Sequence, residues 1–226
     1  LTKILIKFSI GILLLLAISI AQETQDKHLK NIQQLTFGSE NAEAYFSPNG
    51  KYLIFQSTSD GYGCDQIYTM TTKGKKLKMV STGKGRCTCG FFSPDGKKII
   101  FASTHWENDS WTPKPDYSAG YVWPLYTTYE IFIANPDGSN LKRLTNSFGY
   151  DAECVFSPDG KKILFTSDRD GDLELYEMDI EGKNVKRLTY SPGYDGGAFY
   201  SPDAKLVCFR AQVISDSVKL QDYRNL

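Results

Sequence analysis

Four short apolar runs recur along the chain, and each of them follows a polar turn. The runs are continuous rather than alternating, which is typical of strands that are buried on both faces of a sheet. The preceding turn reads Ser-Pro-Asp-Gly in the second and third copies, Ser-Pro-Asn-Gly in the first and Ser-Pro-Asp-Ala in the fourth, weaker copy. The motif predicts a tight turn, because proline presets the first dihedral angle and glycine takes the left-handed position. The apolar runs are Tyr52 to Phe55, Ile99 to Phe101, Ile163 to Phe165 and Leu206 to Phe209.

The turn motif belongs to a longer repeat. Its serines, Ser47, Ser93, Ser157 and Ser201, are separated by 46, 64 and 44 residues, so the period is about 45 residues with an insertion of about 20 in the second unit. Each unit predicts strands A to D, and the D strand reads Lys-Arg-Leu-Thr in the second and third units. A period of this length with four strands per unit indicates the blades of a β-propeller.

The repeat count predicts an all-β fold, a β-propeller of four-stranded blades with about three and a half blades present and an incomplete ring. A copy of the D pattern at residues 31–36 precedes the first A strand, where it can complete the last blade of a closed ring. The fourth unit continues after strand B with a sequence typical of a helix, around Asp216 to Leu226. We interpret the chain as cut inside blade four; the alternative is a four-bladed ring in which the helix replaces strand C. The blades are expected at about residues 41–81, 86–145, 151–189 and 195–226, the last incomplete.

The first 21 residues predict a secretory signal peptide. Lys3 and Lys7 precede an apolar run that ends at Ala21, and the small residues Ser19 and Ala21 suit cleavage after Ala21. The run is short for a membrane span, and an uncleaved anchor is the alternative. Export would place residues 22–226 in an oxidising compartment, periplasmic or extracellular, with no stable membrane span after cleavage.

Composition narrows the function classes only slightly. The 226 residues include 26 basic and 26 acidic side chains, and this balance argues against a nucleic acid as partner. Two histidines leave little room for a histidine-rich metal site. No phosphate-binding loop is recognisable, and no cofactor is expected.

The run from Ser157 to Gly171 resembles the repeats of the TolB-like β-propeller family, and Lys186 to Thr189 continues that pattern. The resemblance extends over residues 31 to 210 and implies a six- or seven-bladed ring of which this chain contains about half. It also implies a binding platform for proteins or peptides, although a fold alone does not determine a function. The founding member of the family carries an α/β domain before its propeller, whereas fewer than 15 residues separate the leader from the first repeat here, so a role in the Tol envelope machinery is not implied. The same repeats are similar to the propeller domains of prolyl-oligopeptidase-type peptidases.

The insertion in the second unit, residues 105–128, is the main candidate binding region. It contains all three tryptophans and lies in the B–C connection, on the propeller face that also carries the D–A connections. Long loops on a rigid scaffold often carry function, and aromatic rings contribute large contact areas to interfaces. The alternative is a local mini-core that folds over the ring. The candidate ligand-binding residues are Trp106, Trp111, Tyr117, Tyr121, Trp123 and Tyr126.

Acidic residues near the start of the A strands form a second candidate site. Alignment on the turn serine places Glu43, Asp151, Glu153 and Asp195 beside the central channel. They predict a partial acidic rim that could hold a cation or a basic side chain, with an ordinary solvated channel mouth as the alternative.

Three alternating carboxylates in one B–C turn are a weak candidate for a calcium site. Carboxylates are the hard oxygen ligands that calcium prefers, but the spacing does not match an EF-hand loop, and a solvated turn is the alternative. No other metal site is predicted. The three residues are Asp168, Asp170 and Asp172.

The cysteines suggest one disulfide between neighbouring blades. Cys64 lies in the B–C connection of blade one, and Cys87 and Cys89 lie at the start of strand A in blade two. Both places are on the same propeller face, so we predict a bond between Cys64 and Cys89, with Cys87 as the alternative partner. Cys154 and Cys208 lie in apolar strands and are predicted to be buried.

No catalytic set is recognisable in the sequence. A nucleophile elbow and a zinc-protease motif are missing, and neither His28 nor His105 has a nucleophile beside it. The leading hypothesis is an exported, non-catalytic propeller that binds a protein or peptide in the bacterial periplasm or cell envelope, with an envelope glycan as a further partner class. The alternative is the propeller domain of a secreted prolyl-oligopeptidase-type peptidase or another hydrolase whose catalytic domain lies outside this chain. A purely structural envelope protein is a third, minor interpretation.

Overall fold

The computed structural model describes residues 28–224, except for residues 108, 109, 111, 113, 114, 119 and 121. The predicted signal peptide at residues 1–21 therefore lies outside the described residues. Residues 28–34 belong to a separate unit and contain neither helix nor strand, and the propeller begins at Leu35. None of the helices among the described residues has the length and apolar character that a membrane crossing requires.

The described residues form three four-stranded antiparallel sheets and one two-stranded sheet, each with its strands in chain order. Blade 1 contains β1 (Asn41–Phe46), β2 (Tyr52–Ser57), β3 (Gln66–Thr71) and β4 (Lys78–Met79). Blade 2 contains β5 (Cys87–Phe92), β6 (Ile99–Ser103), β7 (Glu130–Ala134) and β8 (Lys142–Arg143). Blade 3 contains β9 (Asp151–Phe156), β10 (Lys162–Ser167), β11 (Glu174–Asp179) and β12 (Lys186–Arg187). Blade 4 contains β13 (Asp195–Tyr200) and β14 (Val207–Ala211), so the predicted incomplete all-β propeller is confirmed.

A helix follows blade 4 where the sequence predicts one. This helix, α1 (Ser217–Arg224), follows strand B of blade 4. Its Tyr223 hydroxyl donates a hydrogen bond of 2.5 Å to Asp172 in the B–C turn of blade 3. Blades 2 and 4 therefore both continue from strand B into an irregular or helical segment rather than directly into strand C.

Side-chain hydrogen bonds explain why the Ser-Pro-Asp-Gly motif recurs. In blade 3 the Ser157 hydroxyl donates to Asp159 Oδ1 (2.7 Å) and accepts from the backbone N–H of Lys162 (3.0 Å). Asp159 Oδ1 also accepts from the backbone N–H of Lys161 (3.1 Å), so serine and aspartate together close the turn. Gly160 takes the left-handed conformation with φ of 70°. The equivalent serine and Asn or Asp contacts are present in the other three blades.

Blade 4 departs from this turn at one position. Ala204 has a φ of 56°, where the other three blades have glycine. We expect Ala204→Gly to raise the free energy of unfolding by about 1 kcal/mol, because a β-carbon is disfavoured in the left-handed region. Gly160→Ala makes the reverse change in blade 3, and thermal unfolding should show midpoint shifts of opposite sign for the two variants. Shifts of the same sign would contradict this account of the turn.

Apolar side chains fill the interface between consecutive blades. The earlier blade contributes residues from strands B, C and D, and the later blade contributes residues from strands A, B and C. Burial of each large aliphatic side chain stabilises the fold by about 1.5–3 kcal/mol, so the stacked blades form a rigid support for their loops. Between blades 1 and 2 the main contributors are Ile54, Ile67, Val80, Ile99, Phe101 and Phe132. Between blades 2 and 3 they are Ile100, Ile131, Leu144, Ile163, Phe165 and Tyr176.

The segment at residues 31–36 does not form the predicted strand. A strand needs a hydrogen-bonded neighbour, and the last blade, which this segment is expected to complete, has only strands A and B among the described residues. Leu35 nevertheless packs on the core of blade 1, and its carbonyl oxygen lies 3.3 Å from the place of a Cβ at Gly74. Leu35 therefore takes the position that a D-strand residue has at the later interfaces. The equivalent pairs are Val80 with Gly138 and Leu144 with Gly182.

Candidate functional site

A bulge in every A strand places one residue at the central channel. The pairing register between strands A and B shifts at the same place in all four blades. The residue at this place has a left-handed φ between 54° and 60°, whether or not it is glycine. A bulge breaks the regular alternation of side chains along a strand, so this position points differently from its neighbours. The bulge residues are Glu43, Cys89, Glu153 and Gly197.

The four bulge residues line a cavity of about 530 Å³, the central cavity. Three aromatic rings from blades 1, 2 and 4 line it as well: Tyr45, Phe91 and Phe199, the aromatic cluster. The ring centroids of Tyr45 and Phe91 are 3.9 Å apart, and those of Phe91 and Phe199 are 5.6 Å apart. Rings from blades 1 and 4 also approach each other, at 6.2 Å, so aromatic side chains of three blades meet at the channel between the A strands.

Part of the insertion forms a wall of the central cavity. Tyr117, Trp123 and Tyr126 line it, and the first two are each 51% exposed. Two arginines of the propeller hold this wall in place. The guanidinium carbon of Arg86 lies 5.5 Å from the centre of the Tyr126 ring, and that of Arg210 lies 5.3 Å from the Trp123 ring. Contacts of this kind contribute about 0.5–2 kcal/mol each, so the insertion is anchored next to the channel.

Arg86 is itself held in position by polar contacts. Its guanidinium donates to Asp65 Oδ2 at 3.0 Å and to Thr112 Oγ1 at 3.0 Å. Burial raises the pKa of the Asp65 carboxyl, although the charge of Arg86 acts in the opposite direction. The contacts with Asp65 and Thr112 fix the Arg86 guanidinium between blade 1 and the insertion, and so hold the wall beside the cavity.

Two of the three carboxylates that line the central cavity, those of Glu43 and Glu153, accept hydrogen bonds from tyrosines. Glu153 accepts from the Tyr194 hydroxyl (2.8 Å) and from the Thr166 hydroxyl (2.7 Å). Glu43 is exposed and accepts from the Tyr45 hydroxyl (2.6 Å). Burial and then the neighbouring carboxylate raise the pKa of both tyrosines, which therefore remain protonated donors. The cavity thus combines aromatic faces with carboxylate oxygens that are fixed in place.

The predicted acidic rim is only partly present. Glu43 and Glu153 line the central cavity, but Asp151 is fully buried and Asp195 is 4% exposed. Asp151 accepts hydrogen bonds from the Arg169 guanidinium (2.9 Å) and, at its other oxygen, from a serine hydroxyl. Both aspartates lie two residues before the bulge, and the bulge breaks the alternation that would have put them on one side with the glutamates. The assignment of Asp151 and Asp195 to the rim is therefore corrected: these side chains lie between blades.

The predicted disulfide is not formed, because Cys64 and Cys89 are both free thiols. The Cys64 thiol donates to the carbonyl of Gly85 (2.9 Å), whereas the bulge turns Cys89 into the central cavity. Burial raises the pKa of the Cys89 thiol to about 12, so it is not a thiolate nucleophile near neutral pH. Cys154 is buried as predicted. Cys208 is exposed instead, because no further blade packs on that side of blade 4 within the described residues.

The three alternating aspartates do not converge on one point. Each carboxylate accepts a hydrogen bond from a different part of the fold, at distances between 2.5 and 2.6 Å. Within the described part of the chain, no group of three or more His, Cys, Asp and Glu side chains could hold a metal ion. The weak calcium candidate is therefore replaced by a structural role in joining loops. Asp168 accepts from the N–H of Tyr150, Asp170 from the Tyr176 hydroxyl and Asp172 from the Tyr223 hydroxyl.

The six aromatic residues predicted in the insertion do not form one site. Tyr117, Trp123 and Tyr126 line the central cavity, whereas Trp106 lines a different cavity. Trp111 and Tyr121 lie outside the described residues. The insertion therefore contributes to two separate places on the propeller.

Several residues of the site were missed by the sequence reasoning. The aromatic cluster could have been recognised from the sequence, because each of its members stands two residues before the turn serine of its repeat. No sequence pattern pointed to Arg86 and Arg210, because they occupy positions that are not equivalent in the repeat.

One further contact resembles part of a catalytic arrangement. His105 Nδ1 lies 2.7 Å from the Ser103 hydroxyl, which also contacts the Cys87 thiol at 3.3 Å. Ser103 is fully buried, so its hydroxyl has no access to a substrate in this arrangement. The contact orders the start of the insertion.

Comparison with known proteins identifies the repeats. The family model described as the TolB beta propeller domain matches residues 124–224. A segment of 49 residues is 47% identical to the Tol-Pal system protein TolB of Bordetella pertussis, and it covers 21% of this chain and 11% of that protein. The chain carries TolB-like β-propeller repeats. It spans only a small part of the curated relatives that it matches.

Solved structures agree with this fold. TolB from Acinetobacter baumannii superposes with a TM-score of 0.62 at 24% identity, over 79% of this chain and 39% of that one. A puromycin-hydrolyzing peptidase from Mycobacterium tuberculosis superposes with a TM-score of 0.52 at 14% identity, over 71% of this chain and 24% of that one. At these identities the similarity shows the propeller fold alone.

Proposed function

We propose that this chain is a non-catalytic propeller module that binds a segment of a protein or peptide in the central cavity. The observation that supports it is the convergence of the insertion wall and the aromatic cluster on one cavity of about 530 Å³. Ligand pockets usually have about 300–1,000 Å³ and combine apolar walls with a few placed polar groups. The central cavity has both features.

The cavity chemistry favours an apolar or aromatic side chain as the anchor of the bound segment. Tyr45, Phe91 and Phe199 offer ring faces and edges, and Trp123 can cover a side chain from above the channel. Glu43, whose carboxylate is exposed, offers an acceptor for a basic or hydroxyl group on the same segment. Buried aromatic anchors surrounded by a polar rim are the usual pattern of strong peptide contacts.

We place this function in the bacterial periplasm or cell envelope. Two considerations support the proposal: the leader expected at residues 1–21, and the printed name of the Bordetella relative, which assigns that protein to the Tol-Pal system. A protein partner from the cell envelope follows as the partner class. The peptidase propeller is similar in fold alone, so it adds no catalytic group to this proposal.

A peptide selected for binding to the full chain tests the proposal. Panning a random twelve-residue display library should yield peptides whose affinity falls by about 2 kcal/mol, or roughly thirtyfold in Kd, on Trp123→Ala, because an aromatic anchor of the wall is lost. Fluorescence polarisation with the labelled peptide measures the change. Tyr190→Ala is the matched control, since Tyr190 is also an exposed ring stacked on an arginine, 4.7 Å from Arg187, but lies outside the central cavity. Selected peptides that bind the Trp123→Ala variant as tightly as the original chain would exclude the central cavity as the binding site.

A further inference from the structure

A second cavity lies beside blade 2, where the insertion leaves strand B and returns to strand C. This blade 2 cavity has a volume of about 540 Å³. Two exposed aromatic side chains line it, Trp106 at 64% exposure and Phe148 at 91%. The remaining wall is polar. It is formed by Glu107, Thr127, Thr128, Glu130, Arg143, Asn146 and Ser147.

One carboxylate oxygen in this wall has no hydrogen-bond partner. Glu130 is 4% exposed, and its Oε1 accepts a hydrogen bond from the Arg143 guanidinium. Its Oε2 is buried and accepts no hydrogen bond of good geometry, although the nearby Thr145 hydroxyl also interacts with this carboxyl. A buried acceptor without a donor is energetically unfavourable, so a ligand hydroxyl or N–H that reaches this oxygen would be bound with a net gain.

The arginine paired with Glu130 argues against a cationic ligand at this oxygen, although Glu107 also lines the cavity. Arg143 already neutralises Glu130, and its guanidinium carbon lies 4.9 Å from the centre of the Trp106 ring. A second cation next to Glu130 would meet the positive charge of Arg143 at short range. A neutral hydroxyl can donate to Oε2 without that repulsion.

We propose that the blade 2 cavity binds a neutral sugar residue of a glycan. The sugar stacks its C–H face on the exposed ring of Trp106 and donates a hydroxyl to Glu130 Oε2. The hydroxyl and amide groups of Thr127, Thr128 and Asn146 line the same cavity and supply further hydrogen bonds. This site is separate from the central cavity and does not depend on the peptide function proposed for it.

Blade 3 provides an internal comparison for this site. Glu174 pairs with Arg187, its Oε2 is also unpartnered, and Tyr190 stacks on Arg187. The B–C connection of blade 3 is a short turn from Ser167 to Glu174, so no insertion builds a wall beside this pair. Blade 3 therefore has the ring, the cation and the carboxylate without the insertion residues, and its tyrosine is a matched control.

Titration of the full chain with maltotriose, cellotriose and chitotriose tests the proposal. Saturation-transfer NMR and the tryptophan fluorescence should show saturable binding of at least one trisaccharide, with a Kd of about 1 mM or tighter. Trp106→Ala should weaken that binding at least tenfold. Glu130→Gln, which keeps the side-chain shape, should weaken it severalfold, and Tyr190→Ala should leave it unchanged.

Three results would overturn the sugar site. The first is the absence of binding for all three trisaccharides at about 10 mM. The second is binding that Trp106→Ala leaves intact. The third is Trp106-dependent binding of trilysine that displaces the sugar, which would assign the cavity to cations. Trp123→Ala should weaken peptide binding roughly thirtyfold and preserve sugar binding, so failure of one site is distinguishable from failure of the other.

Discussion

Gly138→Ala is expected to destabilise the protein by about 3–5 kcal/mol, because a β-carbon at this position would collide with the preceding blade. Gly138 lies in the C–D turn of blade 2 with a φ of 86°, and an added Cβ would lie 2.5 Å from the carbonyl oxygen of Val80 in blade 1. Backbone atoms on both sides of this contact leave little room for adjustment. Urea unfolding followed by circular dichroism measures the change.

Gly171→Ala is the control that separates the effect of the steric collision on stability from the effect of the left-handed backbone. Gly171 has a φ of 87°, and no atom lies within 4 Å of the place of its Cβ. Gly171→Ala should therefore lower the free energy of unfolding by only about 1–2 kcal/mol, which is the cost of an alanine in the left-handed region. Equal losses for Gly138→Ala and Gly171→Ala would show that the close contact between blades does not limit stability.

This contact recurs from blade to blade, which is why much of the fold could be predicted from the sequence. The turn serine, the turn glycine and the apolar B strand each have a local physical role, and a repeat of about 45 residues places the serine and the B strand four times and the glycine three times. The number of repeat units in the sequence predicts that the propeller is incomplete. The segment at residues 31–36 shows the limit of that reasoning, because a strand pattern does not form a strand without its neighbours.

The candidate site was less predictable, since it depends on a backbone feature that the residue types do not reveal. Glu43, Cys89 and Glu153 adopt a left-handed φ without being glycine, and only blade 4 marks the bulge with Gly197. A regular strand would place Asp151 on the same side as Glu153, and the sequence alone therefore overstated the acidic rim. The aromatic insertion was recognised from its composition, but its division between two cavities depends on which rings the arginines hold.

Blades 2 and 3 each contain a buried ion pair between strands C and D, whereas blade 1 has uncharged residues at the same positions. Glu130 pairs with Arg143 in blade 2, and Glu174 pairs with Arg187 in blade 3. In blade 1 the equivalent positions of strands C and D are Gln66 and Met79. Gln66 Oε1 accepts its hydrogen bond from the Ser81 hydroxyl (2.8 Å) instead. The same position between strands C and D is therefore occupied by an ion pair in two blades and by uncharged side chains in blade 1.

Arg143→Met is expected to destabilise the protein by about 3–5 kcal/mol at neutral pH, because it leaves the Glu130 carboxylate buried without its cation. Lys142→Met is the matched control. Lys142 is the neighbouring residue on β8 and pairs with Glu181, but both side chains of that pair are more than half exposed. The control should leave the unfolding midpoint in urea unchanged within error.

The loss caused by Arg143→Met should depend on pH in a defined direction. Burial raises the pKa of the Glu130 carboxyl, and Arg143 partly offsets this, so removal of the arginine raises the folded-state pKa further above the unfolded value of about 4.3. The folded protein then binds more protons than the unfolded chain between these two pKa values, and stability falls as the pH rises through that interval. The deficit relative to the original protein is therefore full above the folded-state pKa of the variant and shrinks as the pH falls toward the folded-state pKa of the original protein, which burial also raises. A deficit that is independent of pH would contradict the unpaired carboxylate as its cause.

The double variant Glu130→Gln/Arg143→Met reproduces the pair of residues that blade 1 already uses. Removal of both charges leaves no buried ion without a partner, and neutral replacements of buried pairs are often close to neutral for stability. Thr145 of blade 2 occupies the position of Ser81 and can donate to the new glutamine as Ser81 does in blade 1. The double variant should therefore recover to within about 1 kcal/mol of the original protein and lose the pH dependence of the single variant. A double variant no more stable than Arg143→Met would mean that the arginine acts through its stacking on Trp106 rather than through the charge of Glu130.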